Sequence, residues 1–341
     1  MYPEQQEAVP AAEDYLAPRP VWNGSAATAP RSLARGIAFK FGGSSLIGAD
    51  RMLHAAALVR DAAVAAPVTV IVSAMKGVTD KLLEIAGRLE RKEFAKARES
   101  AENIVALHLD VLDGLELPER HHAQVCHELK LLCRDLLHEA PQRGPVIVDP
   151  ALYDRLASFG ERFSARLFAA ALNKLGCVAV PVASSDFVLT CDTFRHAVPH
   201  LAHTRQRGRE VLVPLLKLGI VPVVTGFIGA TLDGRITTLG RNSSDFSGAL
   251  VAHIVDATEL VIWTDVDGVF TACPRETAEA KLLHELSYDE AHALAASGAK
   301  VLHPRVLPLA AEHEMTVWVR NTFKPHLRGT RIGPAQNGGA A

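Results

Sequence analysis

The sequence predicts an α/β fold with a largely parallel central sheet and helices on both of its faces. Short apolar runs alternate with longer segments of helical periodicity, a glycine-rich turn follows the first run, and 48% of the 341 residues are hydrophobic. Buried parallel strands have continuous apolar runs, whereas amphipathic helices repeat apolar residues three and four positions apart. A chain of this length and composition can bury a large core.

Two apolar runs near the start of the folded region predict the first two strands. Residues 36–41 form the first run, which ends at the turn Gly42-Gly43-Ser44-Ser45. Apolar residues then recur at helical spacing between Met52 and Val59, which predicts a strand, a glycine turn and a helix. Residues 68–74 form the second run, and we expect a buried strand that ends in a loop.

The middle of the chain is predicted to be mainly helical. Residues 80–140 are charged and helix-forming, with apolar residues at intervals of three and four. A core helix is predicted from Tyr153 to Leu175, because its apolar positions repeat and Gly176 follows where helices often end. Later apolar runs alternate with helical segments and predict further strands at residues 178–182, 220–227, 260–263 and 316–319.

We expect the folded domain to cover residues 35–330. Residues 1–34 are rich in Ala and Pro and lack sustained periodicity, which predicts a flexible leader. Residues 331–341 are predicted to be a disordered tail.

The composition favours small-molecule ligands over nucleic acid or membrane. The formal net charge is -2 at pH 7, so no overall positive field would hold a polyanion. The sequence shows neither a secretory signal nor an apolar run of about 18 residues. Five scattered cysteines, an odd number, suggest no disulfide framework. We therefore predict a cytoplasmic protein.

The turn after the first strand has groups that suit a phosphate. Phosphoryl transfer needs close backbone approach to phosphates, a positive charge, and acidic groups that hold or orient magnesium. Gly42 and Gly43 would let backbone N–H groups face an anion, and Lys40 adds a full charge. The alternative is a plain glycine turn, and the segment matches neither the P-loop nor the dinucleotide-binding pattern.

A second candidate segment, residues 237–248, joins an apolar run to a helix that begins near Ser244. Arg241 could clamp a carboxylate through two hydrogen bonds, and Asp245 could orient magnesium or Lys40. The alternative makes Ser244 or Asp245 an ordinary helix cap and Arg241 a surface residue.

Acidic residues mark two more candidate positions. Thr264, Asp265 and Asp267 follow an apolar strand, and ligands of open α/β sheets bind beyond the carboxyl ends of strands. The alternative for these acids is turn formation. Glu161 lies in an otherwise apolar helix and needs a partner, which a substrate ammonium or an internal salt bridge to Arg162 would supply.

Together these segments resemble the aspartate kinases, in order from about Gly36 to Thr330. The stretches that carry the resemblance are residues 40–45, 72–80, 160–162, 226–229, 237–241, 263–269, 298–304 and 319–323. The resemblance implies the amino acid kinase fold, a three-layer α/β/α sandwich with a mainly parallel central sheet. It also implies an N-terminal substrate lobe over residues 35–226 and a C-terminal ATP-binding lobe over residues 227–330.

The same resemblance implies ATP-dependent phosphorylation of the side-chain carboxylate of L-aspartate, in the biosynthesis of lysine, threonine and methionine. Lys40 would neutralise the transferring phosphoryl group, and Asp245 would organise Lys40 and the metal. Glu161 would face the substrate amino group and Arg241 its α-carboxylate. The implied phosphate-binding residues are Gly42, Gly43 and Ser44; the substrate-binding residues are Ser73, Thr79, Glu161, Phe227, Arg241 and Ser244; the ATP-binding residues are Thr264, Asp265, Phe270, Arg275 and Lys300. ATP and Mg²⁺ are the implied cofactors, with Mg²⁺ expected on the ATP phosphates and no protein ligand assigned to it.

The sequence departs from the family pattern at several positions. Asn242-Ser243 replaces two glycines, which we expect to hinder close backbone approach or restrict positive φ. Phe246 and Phe270 replace tyrosines, and Cys273 replaces an aspartate. Most aspartate kinases continue after the kinase domain into paired ACT domains that sense lysine or threonine. We expect none here, hence no feedback inhibition by that route, and any homodimer would form through the kinase domain.

Three functions stay open at the level of sequence. The first is aspartate kinase activity, and the second is phosphorylation of a related amino acid or carboxylate in a specialised pathway. The third is a non-catalytic nucleotide-binding subunit, because Asn242-Ser243 alters the loop. Histidines and cysteines between His121 and His138 could in principle bind zinc, but their spacing fits no common zinc site, and we interpret them as helix surface.

Overall fold

An eight-stranded sheet runs through the centre of the protein. The structure is a computed structural model, and it describes residues 36–272, 277, 279–296 and 302–334. The strands in these ranges are β1 (Ile37–Phe41), β2 (Val68–Val72), β3 (Ala179–Val182), β4 (Val221–Thr225), β5 (Ile228–Ala230), β6 (Ile236–Thr238), β7 (Glu259–Thr264), β8 (Val269–Phe270), β9 (Leu282–Leu283), β10 (Glu285–Ser287), β11 (Thr316–Asn321) and β12 (Thr330–Gly333). The central sheet has the order β10-β12-β11-β7-β1-β2-β4-β3, while β5 pairs with β6 and β8 pairs with β9.

All neighbouring strands of the central sheet are parallel except β11 and β12. The carboxyl ends of β1, β2, β4, β7 and β11 therefore meet at one edge, where Phe41 lies between Val72 and Trp263. In the central sheet β2 lies on one side of β1 and β7 on the other, so the strand order changes direction at β1. Open α/β sheets bind ligands at such switch points.

Helices cover both faces of the sheet. In the described ranges they are α1 (Gly48–Ala63), α2 (Val78–Glu90), α3 (Phe94–Gly114), α4 (Glu119–Glu139), α5 (Pro150–Lys174), α6 (Leu201–Lys217), α7 (Ser244–Ile254), α8 (Tyr288–Ala296) and α9 (Val306–Glu312). Phe39 and Phe41 of β1 join the apolar cluster beneath α1 to α5, whereas Ala38 joins the cluster beneath α6, α7 and α9. The alternation follows from the two-residue period of a strand. None of the helices in the described ranges is both long and apolar enough to span a bilayer.

The predicted α/β architecture is confirmed, with one boundary corrected. The predicted helical segment over residues 80–140 consists of α2, α3 and α4, and the predicted core helix is α5. The predicted tail, however, began at residue 331, whereas β12 continues to Gly333 and pairs with both β10 and β11. Ile332 is fully buried, and this burial holds the segment in the sheet. The predicted leader lies outside the described residues, and the division into two lobes stays a prediction.

Candidate active site

A cavity of about 840 Å³ lies at the carboxyl ends of the central strands. Residues at or just beyond the ends of β1, β2, β4 and β7 contribute to its walls, together with α2, α5 and the start of α7. Many of the residues singled out from the sequence meet there although they are far apart in the chain. Those lining the cavity are Lys40, Gly43, Ser73, Thr79, Glu161, Phe227, Arg241, Ser244, Asp245 and Thr264.

An ion pair between Lys40 and Asp245 lies in the wall of the cavity. Lys40 is on the α7 face of β1, and its Nζ is 2.7 Å from Oδ1 of Asp245 in the first turn of α7. The helix approaches the strand closely at Gly248, where an added Cβ would lie 3.2 Å from Cβ of Lys40. Asp245 therefore holds the lysine, and Ser243, not Ser244 or Asp245, is the N-terminal cap residue.

The glycine turn after β1 offers only some of the backbone donors that the sequence predicted for it. A Cβ at Gly43 would lie 2.5 Å from the carbonyl oxygen of Ala74, so only glycine fits there. The N–H groups of Gly43 and Ser44 donate to no acceptor within the described ranges. Gly42 was predicted to offer its amide to phosphate, but that N–H donates to the carbonyl of Trp263 at 3.0 Å. The pairing of β1 with β7 uses that donor, so the amide of Gly42 is not free for phosphate, while the close approach of Gly42 to phosphate stays a prediction.

Glu161 is a buried carboxyl group that faces the cavity. Its side chain is 3% exposed, and Oε2 has no hydrogen-bond partner within the described ranges. Burial raises the pKa of Glu161 from 4.5 to about 8, although the N–H of Ala74 and the charge of Lys40 act in the opposite direction. The guanidinium of Arg162 lies 4.7 Å from the ring centre of Phe159 instead, so the predicted alternative of a salt bridge between Glu161 and Arg162 is not found.

Arg241 lies at the mouth of the cavity and is paired with an acid of the protein. Its Nη2 is 2.6 Å from Oδ1 of Asp80 in the first turn of α2. Both side chains are largely exposed, at 73% for Arg241 and 68% for Asp80. The predicted carboxylate clamp and the predicted surface position are therefore both compatible with where Arg241 lies.

Two non-glycine residues beside the cavity have left-handed backbone conformations. Phe227 has a φ of 66° and Asn242 a φ of 62°. The expectation that Asn242 would restrict positive φ is therefore wrong, because Asn tolerates this region better than most residues do. The neighbouring Ser243 is fully buried and has a φ of -79°.

Of the residues predicted to bind ATP, Thr264 alone lines the cavity within the described ranges. Thr264 lines the cavity, and its hydroxyl donates to Asp265 at 3.3 Å. Asp267 accepts a hydrogen bond of 2.6 Å from the side chain of Asn321, which links the ends of β7 and β11. Phe270 is half-buried in β8 and does not line the cavity. Arg275 and Lys300, also predicted to bind ATP, lie outside the described residues, as does Cys273.

Several residues that line the cavity were not assigned a role from the sequence. These are Ala74, Met75, Lys76, Gly77, Asp80, Leu83, Asn242, Leu302, His303 and Pro304. Most of them belong to the family-like stretches 72–80 and 298–304, so membership of those stretches was the available signal. His303 stacks on Phe246, and its Nδ1 accepts a hydrogen bond of 3.3 Å from the N–H of Arg305. Burial lowers the pKa of His303, although the charge of Asp245 acts in the opposite direction.

The profile of the amino acid kinase family matches residues 36–321, which is most of the chain. The chain belongs to the amino acid kinase family. It is 34% identical over 297 residues to lysine-sensitive aspartokinase 3 of Escherichia coli (strain K12), covering 87% of this chain and 64% of the relative. It is 33% identical to the chloroplastic aspartokinase 3 of Arabidopsis thaliana, covering 86% of this chain and 52% of the relative.

Solved structures give the same assignment of fold. The crystal structure of E. coli aspartokinase III in complex with aspartate and ADP has a TM-score of 0.80 at 32% identity, covering 89% of this chain and 65% of that chain. Clostridium acetobutylicum aspartate kinase has a TM-score of 0.70 at 20% identity. This member of the amino acid kinase family thus spans between half and two thirds of the length of the curated relatives named above. The prediction that no ACT domains follow stays a prediction.

Proposed function

We propose that the protein is an ATP-dependent kinase that phosphorylates the side-chain carboxylate of L-aspartate to 4-phospho-L-aspartate. The observation that carries the proposal is one cavity in which the Lys40–Asp245 ion pair, the buried Glu161 and Arg241 converge. The similarity to aspartokinases supports it, and one of the similar structures contains aspartate and ADP.

The charges of the cavity suit a small amino acid with two carboxylates. Glu161 is an acid without an ion-pair partner in the described ranges, and a substrate ammonium would supply one. Arg241 is exposed to incoming anions and has the planar guanidinium that binds a carboxylate through two hydrogen bonds. With the ammonium at Glu161 and the α-carboxylate at Arg241, the side-chain carboxylate is left as the group that meets the phosphate.

The chemistry requires positioning and charge neutralisation and no general base. A carboxylate is already an anion at neutral pH, and one of its oxygens attacks the γ-phosphorus while the bond from that phosphorus to the bridging oxygen of ADP breaks. Repulsion between the two anions is the main obstacle. Lys40, held by Asp245, is placed to neutralise the charge that develops on the transferring group. The N–H groups of Gly43 and Ser44 are available as further donors.

The side chains of the cavity fit a magnesium ion carried by nucleotide phosphates. The described ranges contain no cluster of three or more His, Cys, Asp or Glu side chains that could form a metal cage. Mg²⁺ typically keeps several waters and binds through substrate phosphates and one or two carboxylates. Asp245 is the residue that we propose to hold it, and the ion would supply neutralisation of phosphate charge.

The proposal also includes a cytoplasmic location and a homodimer. The four cysteines in the described ranges, Cys126, Cys133, Cys177 and Cys191, are all free, as expected in a reducing cytoplasm. A homodimer would form through the kinase domain itself.

An acceptor panel tests the proposed activity. ADP release is followed by a coupled assay with Mg²⁺ and ATP in the presence of L-aspartate, D-aspartate, L-glutamate, L-asparagine or no acceptor. The acyl phosphate is trapped with hydroxylamine as a hydroxamate. We expect hydroxamate and ADP in equal amounts with L-aspartate and background rates with L-asparagine, which lacks the side-chain carboxylate. Faster turnover of another carboxylate would identify that compound, and not aspartate, as the acceptor. Nucleotide binding without turnover on any acceptor would contradict kinase activity.

A further inference from the structure

The part of the cavity lined by Phe227, Asn242 and Ser244, called the acceptor side below, includes a phenylalanine in an unfavourable backbone conformation. Phe227 follows β4, lines the cavity and has a φ of 66°, a region that bulky residues rarely adopt. Such conformations persist only where the surrounding structure holds them. Something beside Phe227 must therefore fix its backbone.

Hydrogen bonds fix both backbone groups of Phe227. Its N–H donates to Oγ of Ser247 at 2.8 Å, and its carbonyl accepts from the N–H of Leu239 at 2.9 Å. The preceding Gly226 donates to the carbonyl of Val72 at 2.9 Å, which ties the segment to the end of β2. Leu239 and Val72 act through their backbones, so the hydroxyl of Ser247 is the one side-chain group in this set.

The same hydroxyl also contacts the loop that precedes α7. Oγ of Ser247 donates to the carbonyl of Ser243 at 3.2 Å, four residues earlier in the chain. Back-bonding of this kind is common for serine in helices, but here the oxygen additionally accepts from a residue of another segment. Ser247 is 4% exposed, so water does not compete effectively for either bond.

Ser247 thus links the two walls of the acceptor side. One wall is Phe227, and the other is the loop with the left-handed Asn242 and with Ser243 and Ser244. Gly226 permits the close contact between them, because an added Cβ would lie 3.3 Å from Oγ of Ser244. Ser247 itself does not line the cavity.

We propose that Ser247 is a positioning residue for the acceptor: its hydroxyl holds Phe227 and the loop before α7 in the geometry that binds the amino acid substrate. The inference rests on the proposed kinase function. It assigns Ser247 no contact with either substrate. The effect of losing the hydroxyl should therefore appear in acceptor binding and not in nucleotide binding.

The test compares Ser247→Ala with Ser164→Ala. Ser164 is likewise buried in a helix, but its hydroxyl has no hydrogen-bond partner within the described ranges. Ser164→Ala therefore controls for replacing a buried serine by alanine without the loss of a hydrogen bond. We expect Ser247→Ala to raise KM for L-aspartate about tenfold, as loss of a buried hydrogen bond would, with KM for ATP unchanged. Ser247→Thr, which keeps the hydroxyl, should recover most of the affinity. Ser164→Ala should leave both constants unchanged.

Amide hydrogen exchange of the full chain gives a readout that does not depend on turnover. We expect faster exchange at Phe227 in Ser247→Ala and no change there in Ser164→Ala, because the N–H of Phe227 loses its acceptor. Equal rises in the KM values for aspartate and ATP, or unchanged exchange at Phe227, would overturn the proposal. A wild-type protein inactive on every acceptor would overturn the proposed function, while exchange at Phe227 would still decide whether Ser247 holds that residue.

Discussion

Nη2 of Arg241, the residue that the resemblance to aspartate kinases places opposite the substrate α-carboxylate, lies 2.6 Å from Oδ1 of Asp80. The two residues are far apart in the chain and meet across the mouth of the cavity, from the loop before α7 and from the first turn of α2. A carboxylate of the protein thus pairs with this arginine. If Arg241 binds the α-carboxylate of the acceptor as proposed, the acceptor must displace Asp80 or share the guanidinium with it.

Removing the charge of Asp80 should therefore strengthen acceptor binding. We predict that Asp80→Asn lowers KM for L-aspartate about two- to fivefold, since exposed ion pairs contribute at most about 1 kcal/mol. Steady-state kinetics at low ionic strength measures the effect, which should shrink as salt screens the pair. Glu84→Gln is the control, because it removes an exposed acid paired with Arg88 on the same helix. A higher KM in Asp80→Asn would show that Asp80 orients Arg241 and does not compete with substrate.

The buried carboxyl group of Glu161 should make the free protein less stable as pH rises. Its pKa is raised from 4.5 to about 8, so between these values it is ionised when unfolded and neutral when folded. The stability that it contributes is fully present below pH 4.5 and is lost as pH rises to about 8. Relative to Glu161→Gln, we predict that wild type loses roughly 3 kcal/mol of unfolding free energy between about pH 5.5 and pH 8.5. Urea unfolding at these pH values measures it, and parallel pH profiles of the two proteins would contradict it.

The same carboxyl group should make acceptor binding depend on pH. An ammonium binds the ionised form of Glu161, so KM for L-aspartate should fall as pH rises from about 6.5 to 8.5. In Glu161→Gln we expect a higher KM without this pH dependence, and KM for ATP serves as the internal control. If KM for aspartate in wild type were flat over this range, Glu161 would not bind the ammonium.

Asn242 should be replaceable by glycine but not by a β-branched residue. Its φ of 62° is accessible to glycine without steric cost, so Asn242→Gly should change stability by less than about 1 kcal/mol and retain activity. Asn242→Val should lose about 1–3 kcal/mol, because valine is strained at positive φ. Thermal unfolding and KM for aspartate measure both variants. Equal behaviour of the two variants would mean that the loop changes conformation to accept valine.

Local sequence patterns were sufficient to predict the centre of the fold. The apolar runs of β1 and β2 are continuous because both faces of these strands are covered, and that pattern can be recognised without a partner strand. Lys40 interrupts the apolar run of β1, which marks it as a buried charge in need of a partner. The strand β12 was missed because Arg331, Ile332 and Gly333 are too few to show alternation, and it is defined by pairing with β11.

Contacts between distant segments could not be predicted from local patterns. The amide of Gly42 is used by the carbonyl of Trp263, and the bond exists only because β1 pairs with β7. Asp154 is another example: its buried carboxylate accepts from the N–H groups of Arg195 and Thr238 and thereby anchors β6, which leads to Arg241. Burial raises the pKa of Asp154 and these hydrogen bonds lower it. Nothing in the residues around Asp154 indicates those partners.

The rate of phosphoryl transfer in Lys40→Met tests the central claim most directly, because Lys40 is the charge on which the proposed chemistry depends. Saturating Mg-ATP and L-aspartate are used, and Lys217→Met, at an exposed position at the end of α6, is the matched control. We predict that Lys40→Met lowers kcat by about 10²- to 10³-fold while Lys217→Met keeps the wild-type value. A kcat in Lys40→Met equal to that of wild type, in a protein with unchanged near-ultraviolet circular dichroism, would contradict the account.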